Sequence, residues 1–409
     1  MPHLNGKNVV LGVTGSIAAY KAVLLARLLR EEGASVRVCA TQNGLRFVGA
    51  PTFHGLTGHP VATQLWEGSE QGTGEPHIDL AAWADLIVVY PATQAFIGRV
   101  AACMGTDLLS LTVLAARCPV VVAPAMHTAM VEHPLFEDAQ ARLRSAGIVV
   151  MPTAFGRLAS GEEGPGRLPE PEEVIEWIAG RLAPKDLGGV SVLVTAGGTR
   201  EPLDAVRFLG NPSTGKMGIA VAKMAVRRGA RVTLIHGPGV QPPQILMEEV
   251  VRVRTAEEMA MHVHQRYKTC DVLAMSAAVA DFRPVNPRAD KISKADGIPT
   301  IELERTEDIL SATSSIEGKR VRVGFAMGTT EVFEVAPKKL EAKKLDLIVA
   351  NAIDEPGAGF ANATNRVDVF AKDGQRQSWP LMSKDEVADR ILDCVARLRA
   401  GDKALGDDT

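Results

Sequence analysis

The strongest constraint in this 409-residue chain is a pattern that occurs twice. Asn8-Val9-Val10-Leu11-Gly12-Val13 reads as a strand, a small turn follows, and Ile17 to Glu32 carries helical apolar spacing. Gly33 ends that helix, and Ser35 to Ala40 reads as the next strand. Ser191 to Thr195, Gly215 to Arg228, Gly229 and Arg231 to Ile235 repeat the plan. Strand, helix and strand in that order make a parallel βαβ unit, because parallel strands need a crossover and a helix supplies it. Further apolar runs at Leu86–Tyr90, Pro119–Ala123, Val272–Ser276, Val321–Ala326, Leu347–Ala350 and Arg366–Ala371 extend the two copies. Continuous apolar strands fit a parallel sheet covered on both faces. The expectation is two doubly wound α/β domains.

A helix from Pro171 to Leu182 closes the first copy, and Ala183-Pro184-Lys185-Asp186-Leu187-Gly188-Gly189 has linker composition. The domains expected are 1–183 and 190–409, joined by a linker at 184–189, with a tail that frays from about Ala400.

Charge narrows the function. Lys and Arg number 45 against 48 Asp and Glu, a net charge of −3, so nothing supplies the long-range attraction of a generic nucleic-acid or anionic-membrane binder. Aromatic residues are only 4%, too few for base-stacking platforms. The five cysteines are odd in number and lack CxxC spacing, which reads as reduced thiols of a cytoplasmic protein. No apolar stretch is long enough to span a bilayer.

Gly12-Val-Thr-Gly15-Ser16-Ile17 lies between a strand and a helix, where unpaired N–H groups and the helix dipole favour a phosphate. A dinucleotide site also expects an acidic residue at the end of the second strand. Those strands run into Thr41-Gln42-Asn43 and His236-Gly237-Pro238 instead, which favours a mononucleotide with a terminal phosphate. Gly210-Asn-Pro-Ser-Thr-Gly215-Lys216 satisfies GxxxxGK, but Met217 stands where a magnesium-binding Ser or Thr belongs. A phosphate cradle of another design and a capped surface loop are both open for it.

The remaining motifs carry a family resemblance. Thr14-Gly-Ser-Ile-Ala-Ala-Tyr-Lys21, His77-Ile-Asp-Leu80, Pro91-Ala-Thr93, Thr106-Asp-Leu-Leu109 and Pro124-Ala-Met-His-Thr-Ala-Met130 resemble the flavin-dependent cysteine decarboxylases. Thr195-Ala-Gly-Gly-Thr-Arg-Glu-Pro-Leu-Asp204, Asn211-Pro-Ser-Thr-Gly-Lys-Met-Gly218, Ala277-Ala-Val-Ala-Asp281 and Lys291-Ile-Ser-Lys294 resemble phosphopantothenate–cysteine ligase. In this order the halves resemble the bacterial bifunctional coenzyme A biosynthesis proteins over roughly residues 7 to 398. The resemblance implies two Rossmann-like domains, a flavodoxin-like flavoprotein domain followed by a ligase domain.

For the ligase half it implies that 4′-phosphopantothenate attacks the α-phosphate of CTP, with magnesium, and that cysteine then displaces CMP from the acyl-cytidylate. Asn211 matches the asparagine linked to turnover of that intermediate, Lys291 a nucleotide-contacting lysine, and Asp281 a contact beside the cytidine. Ala277 falls in the same substrate-binding stretch as Asp281. Thr306, Glu307, Asp308 and Ile309 align with the family's Asn-Pro-Asp-Ile, Phe325 would pack on the base, and Lys339 and Lys343 share one helix face. Met327-Gly328 stands where the family reads Ala-Glu.

For the first half the resemblance implies an FMN-dependent oxidative decarboxylation of phosphopantothenoylcysteine to 4′-phosphopantetheine. Gly15, Ser16, Ile17 and Thr41 would hold the FMN phosphate region, and Pro91, Ala92, Thr93, Asp107, Leu108 and Leu109 the ring and ribitol. His77 matches the catalytic histidine, and Met126 and Met130 belong to the substrate clamp. The family's proton-donating cysteine is Ser160 here, the clamp asparagine is His127, and the asparagine of the Pro-Ala-Ser-Ala-Asn-Thr element is Ala95. A serine hydroxyl is far less acidic than a thiol of pKa about 8.5, so His127 is expected to take over proton delivery. The alternative is an active ligase riding on a flavin domain that only drives oligomerisation. The resemblance also implies a homo-oligomer, trimer-based and, with ligase dimers, dodecameric. The metal ligands are left unassigned.

Overall fold

The computed structural model describes residues 4–406 except 66–73, 244, 246, 294–299, 317, 330, 353–358, 360 and 361, so Lys294 lies outside the described residues. The chain forms two compact units, Met1–Leu182 and Ala183–Thr409, each with its own sheet.

In the first unit β1 (Asn8–Val13), β2 (Ser35–Ala40), β3 (Leu86–Ala92), β4 (Val120–Pro124) and β5 (Val149–Val150) pair in parallel, in the order β2-β1-β3-β4-β5. Helices α1 (Tyr20–Glu31), α2 (Gln42–Leu45), α3 (Ala50–Thr57), α4 (Pro76–Trp83), α5 (Gln94–Ala101), α6 (Leu108–Leu114), α7 (Thr128–Val131), α8 (Pro134–Ser145) and α9 (Pro171–Leu182) surround it. Val9, Leu11 and Val13 face one core and Val10 another, which is what strand alternation between two helix layers requires. Helix α1 buries Ala22, Leu25, Ala26 and Leu29, one stripe of an amphipathic helix. The helix expected from Ile17 opens as a 3-10 turn, Ile17–Ala19, whose first free amide is capped by the Ser16 hydroxyl. A hairpin of β6 (Ala154–Arg157) and β7 (Glu163–Arg167) stands beside the sheet.

The second unit carries β8 (Ser191–Ala196), β9 (Arg200–Pro202), β10 (Phe208–Gly210), β11 (Arg231–His236), β12 (Glu249–Arg252), β13 (Val272–Met275), β14 (Phe282–Pro284), β15 (Leu303–Arg305), β16 (Val321–Gly328), β17 (Leu347–Ala352), β18 (Thr364–Ala371) and β19 (Arg376–Ser383). Eight of them form the sheet β12-β11-β8-β13-β16-β17-β18-β19, while β9–β10 and β14–β15 form separate hairpins. Its helices are α10 (Lys216–Arg227), α11 (Ala256–Tyr267), α12 (Ile309–Thr313), α13 (Val332–Ala342) and α14 (Lys384–Ala400). The sheet is not wholly parallel, as the apolar runs suggested: β18 pairs antiparallel with both β17 and β19. The turn Lys372–Gln375 between β18 and β19 is too short for a crossover, so only a hairpin can form.

Two boundary expectations change. The linker composition at 184–189 belongs to a segment fixed to the second unit: Leu187 is buried, its N–H donates to the Arg228 carbonyl, and Asp186 pairs with the Arg228 guanidinium. The tail does not fray from Ala400. Gly401 ends α14 at φ 89°, and Ala404 and Leu405 turn back into the core, with Gln377 donating to the Gly406 carbonyl at 2.9 Å.

Candidate functional sites

Each unit has a cavity of about 490 Å³ beyond the carboxyl ends of its strands, where the strand order reverses: beside β1 and β3 in the first, beside β8 and β13 in the second. Open α/β sheets bind ligands at this place because the connecting loops diverge there. A buried threonine holds the split in both. Thr14 Oγ1 donates to the Pro91 carbonyl at 2.8 Å and accepts from Thr93 N–H at 3.0 Å. Thr195 Oγ1 accepts from Ala277 N–H at 3.1 Å.

Gly15, Ser16, Thr93, Met126 and Met130 line the first cavity, with Ala95 and walls from α5 and α8 that the motifs did not indicate, Gly98 and Phe136 among them. Gly15 has no room for a side chain, since a Cβ would lie 2.6 Å from Asn43 Cβ. The other candidates do not line it. Thr41 caps α2, Asp107 caps α6 and pairs with Arg99 at 2.8 Å, and Pro91 is tied to Thr14. Ala92, Leu108 and Leu109 are core, and Ile17 is exposed. His77 sits half-buried on the first turn of α4, away from the cavity lining.

Ser160 and His127 both contact Glu162 in the turn of the β6–β7 hairpin. His127 caps α7 through Nδ1, which accepts the Ala129 N–H at 3.3 Å, and its Nε2 lies 2.7 Å from Glu162 Oε2. Ser160 Oγ accepts the Glu162 N–H at 3.4 Å. Thr128 donates to the Pro165 carbonyl at 2.7 Å, and Met126 N–H donates to the Gly166 carbonyl, so the hairpin is clasped to the clamp segment.

The second cavity gathers Asn211, Ala277, Asp281, Thr306, Glu307, Asp308, Ile309, Phe325, Lys339 and Lys343. The Asn211 amide donates to the Ala278 and Val279 carbonyls at 3.3 and 3.2 Å, which sets it across from the Ala277–Asp281 loop. Thr306 Oγ1 donates to the Ala280 carbonyl at 2.5 Å and its N–H to the Asp281 carbonyl at 3.0 Å. Lys343 pairs with Asp308 at 3.0 Å rather than standing in solvent. Burial disfavours the Asp308 carboxylate, but hydrogen bonds from Lys343 and Ser311 outweigh it and hold its carboxyl below the usual range. Glu307 faces His264 of α11 at 2.7 Å. The Gly-rich loop joins the wall through Ser213, Thr214, Gly215 and Lys216.

Lys291 is not brought to this cavity. It is exposed on a segment anchored elsewhere, where Ile292 N–H donates to Asp204 Oδ2 at 3.1 Å and Arg288 N–H to the Leu203 carbonyl. Conversely, Asn351, Asn365 and Lys384 line the cavity without having been expected there. An asparagine closing the apolar run Leu347-Ile-Val-Ala350 was the available signal for the first. Lys384 follows a helix-capping serine and looks like an ordinary first-turn residue. Among the described residues no three His, Cys, Asp or Glu side chains gather to hold a metal ion, and no helix is long and apolar enough to cross a membrane.

Fold and sites together define a two-domain α/β protein with a separate small-molecule cavity in each half. Residues 2–183 match the family model described as Flavoprotein, and residues 187–398 that described as DNA/pantothenate metabolism flavoprotein C-terminal domain. The coenzyme A biosynthesis bifunctional protein CoaBC of Mycobacterium bovis is 45% identical over 97% of both chains, and that of Bacillus subtilis 42% over 97% of this chain and 98% of its own. The crystal structure of a C-terminal domain of CoaBC covers 53% of this chain and 100% of its own at 40% identity, with a TM-score of 0.45. The chain belongs to the family of coenzyme A biosynthesis bifunctional proteins, and its first half is a flavoprotein domain.

Proposed function

We propose that the chain acts in coenzyme A biosynthesis by ligating cysteine to 4′-phosphopantothenate in the second unit and decarboxylating the product in the first. The observation that carries this reading is the assembly of ten motif residues around one cavity of the second unit. There CTP would lie with its base against Phe325 and its phosphates toward the Gly-rich loop and the lysines. Asn211, whose amide donates to two carbonyls here, would turn one of those N–H groups to the acyl-phosphate oxygen as cysteine attacks. Fixed amides and cations of this kind stabilise charge that develops on oxygen. Magnesium would arrive on the triphosphate, in keeping with its habit of binding substrate phosphates through few protein ligands. The exposed Lys291 would reach the nucleotide only through movement of its segment or from a second copy.

The first cavity suits FMN: apolar walls from Ala95, Met126 and Met130 for the ring, and the Gly15–Ser16 turn at a helix start for the phosphate. When bound, the flavin accepts and returns a hydride equivalent. The chain's residues would orient it, with His77 beside the substrate carboxylate and His127 supplying a proton. His77 lies apart from the cavity within one chain, and Ile17, Tyr20 and Leu135 are 66%, 58% and 70% exposed. Both facts support a site completed by another copy in a trimer-based assembly, which ligase dimers would extend to a dodecamer. Reduced thiols at all five cysteines accord with a cytoplasmic setting. The reading in which the flavin unit only drives oligomerisation is not favoured, since the relatives are bifunctional across the full length.

The test measures CMP released from CTP and carbon dioxide released from phosphopantothenoylcysteine by one purified chain. Both are expected. Absence of CMP overturns the ligation, and absence of carbon dioxide with flavin bound overturns the decarboxylation.

A further inference from the structure

We infer that Lys384 is a catalytic residue of the ligation, which with Lys216 grips the two phosphates that leave the nucleotide as pyrophosphate. The inference rests on the ligase reading above.

Lys384 is only 6% exposed, although lysine is among the residues least often buried. It is the first residue of α14, lines the cavity, and donates from Nζ to the Gly359 carbonyl at 2.9 Å. Lys216 is the first residue of α10 and lines the same cavity. Helices α10 and α14 pack against each other, so two helix N-termini, each with a lysine, converge on one end of it. Partial positive charge at helix starts adds to that of the ammonium groups. The buried amides of Asn351 and Asn365, the first donating to the second at 3.5 Å, add polar groups to the same wall. Two of the cavity's carboxylates have partners on other elements, Asp308 with Lys343 and Glu307 with His264, and Asp281 is exposed on the loop after β13.

Burial and the charge of Lys216 push the Lys384 ammonium down to about 8. Lys384 is buried and Lys216 exposed, and their mutual repulsion is relieved when an anion lies between them. A diphosphate has the charge and span to do so. In the step itself, the substrate carboxylate oxygen forms a bond to the α-phosphorus. The bond from that phosphorus to the bridging oxygen breaks, and the bridging oxygen leaves with the electron pair as part of pyrophosphate. Cations on the β- and γ-phosphates stabilise the charge that appears there, which lowers the barrier and does not merely tighten binding.

The experiment compares Lys384→Met and Lys384→Arg with the wild-type full chain, measuring binding of CTP, inorganic pyrophosphate and CMP by calorimetry and the rate of acyl-cytidylate formation. CMP lacks the phosphates concerned. In Lys384→Met, binding of CTP and pyrophosphate should weaken by about 10-fold or more, as for loss of a charge-assisted hydrogen bond. The rate should fall on the order of 100-fold. CMP binding should be unchanged, and Lys384→Arg should recover part of both losses. Equal weakening of CTP and CMP, or CTP binding as tight as wild type, overturns the inference and makes Lys384 a scaffold residue. Should Lys384→Met fail to fold, Lys216→Met carries the same comparison with the same two outcomes. Failure of the underlying reading looks different, because the wild-type chain itself would then make no CMP.

Discussion

His127 Nε2 lies 2.7 Å from Glu162 Oε2 while its Nδ1 accepts a backbone N–H, so the ring's proton sits on the nitrogen that faces the carboxylate. Glu162 belongs to the hairpin turn that carries Ser160, the residue in the family's cysteine position. Replacing His127 by Ala should slow decarboxylation of phosphopantothenoylcysteine by about 100-fold, the usual worth of a positioned acid or base, with ligation unaffected. Glu162→Gln should give a smaller loss of the same kind. A wild-type decarboxylation rate in His127→Ala would remove the histidine from the chemistry.

Gly198 touches the other site through its backbone. A Cβ there would lie 2.4 Å from the Asn211 carbonyl oxygen, and neither backbone can yield cheaply. Gly198→Ala should therefore displace Asn211. We expect CMP release to fall by about 10-fold or more and stability by about 1–3 kcal/mol, the common cost of overpacking. Carbon dioxide release should be untouched. A variant with wild-type CMP release would show that Asn211's placement is not critical.

Arg228 fastens the ends of the second unit. Its guanidinium is buried and meets Asp186, Asp389 at 3.2 Å and Asp393 at 2.7 Å, linking the segment before β8 to α14. Its three partners are partly exposed, which screens the pairs. Arg228→Ala should cost about 2 kcal/mol, below the 3–5 of a fully buried pair. The hydrogen bond from Arg228 holds the Asp186 carboxyl below its usual range. A depressed carboxyl stabilises the fold above its unfolded pKa and loses that contribution as pH falls through the folded one. Wild type should therefore lose Tm on acidification below about pH 4, and Arg228→Ala should lose less over the same range.

Lys384 acts with the same sign in an alkaline window. With its folded value at about 8 against 10.5 unfolded, the unfolded chain holds the proton between those limits, so this group's contribution to stability rises with pH there. Pyrophosphate binding should move the other way, weakening by up to about 10-fold from pH 7 to pH 9 as the ammonium is lost. Lys216 is the charged group that acts on it, and Lys339, Lys343, Asp281, Glu307 and Asp308 are the other titratable side chains on the cavity wall. A pyrophosphate affinity that is flat over this range contradicts the assignment.

Much of this molecule is legible from short-range pattern. The βαβ units were, because strand alternation, helix spacing and a stop glycine such as Gly33 are local signals. Asn211, Asp281 and the Thr306–Ile309 segment were, because motif residues cluster at strand ends. The antiparallel β18–β19 edge was not, since apolar strands read alike in either direction until the turn length is weighed. The docked tail hung on two apolar side chains, Ala404 and Leu405, too few to make a pattern. Lys384 was invisible because its burial comes with the packing of α14 on α10 and β16, far off in sequence. The placement of Lys291 outside the cavity lining was not legible, since the neighbouring Ile292 N–H is held by Asp204, a contact no local motif encodes.

Two separate sites, one in each unit, are proposed to carry out successive steps. The most direct measurement is a mass-resolved assay with 4′-phosphopantothenate, cysteine, CTP and magnesium on wild type, His77→Asn and Asn211→Ala. Wild type should accumulate 4′-phosphopantetheine. His77→Asn should stop at phosphopantothenoylcysteine while still releasing CMP, and Asn211→Ala should make little product yet decarboxylate phosphopantothenoylcysteine when it is added. Loss of both activities by either single substitution, with the fold intact, would contradict the claim.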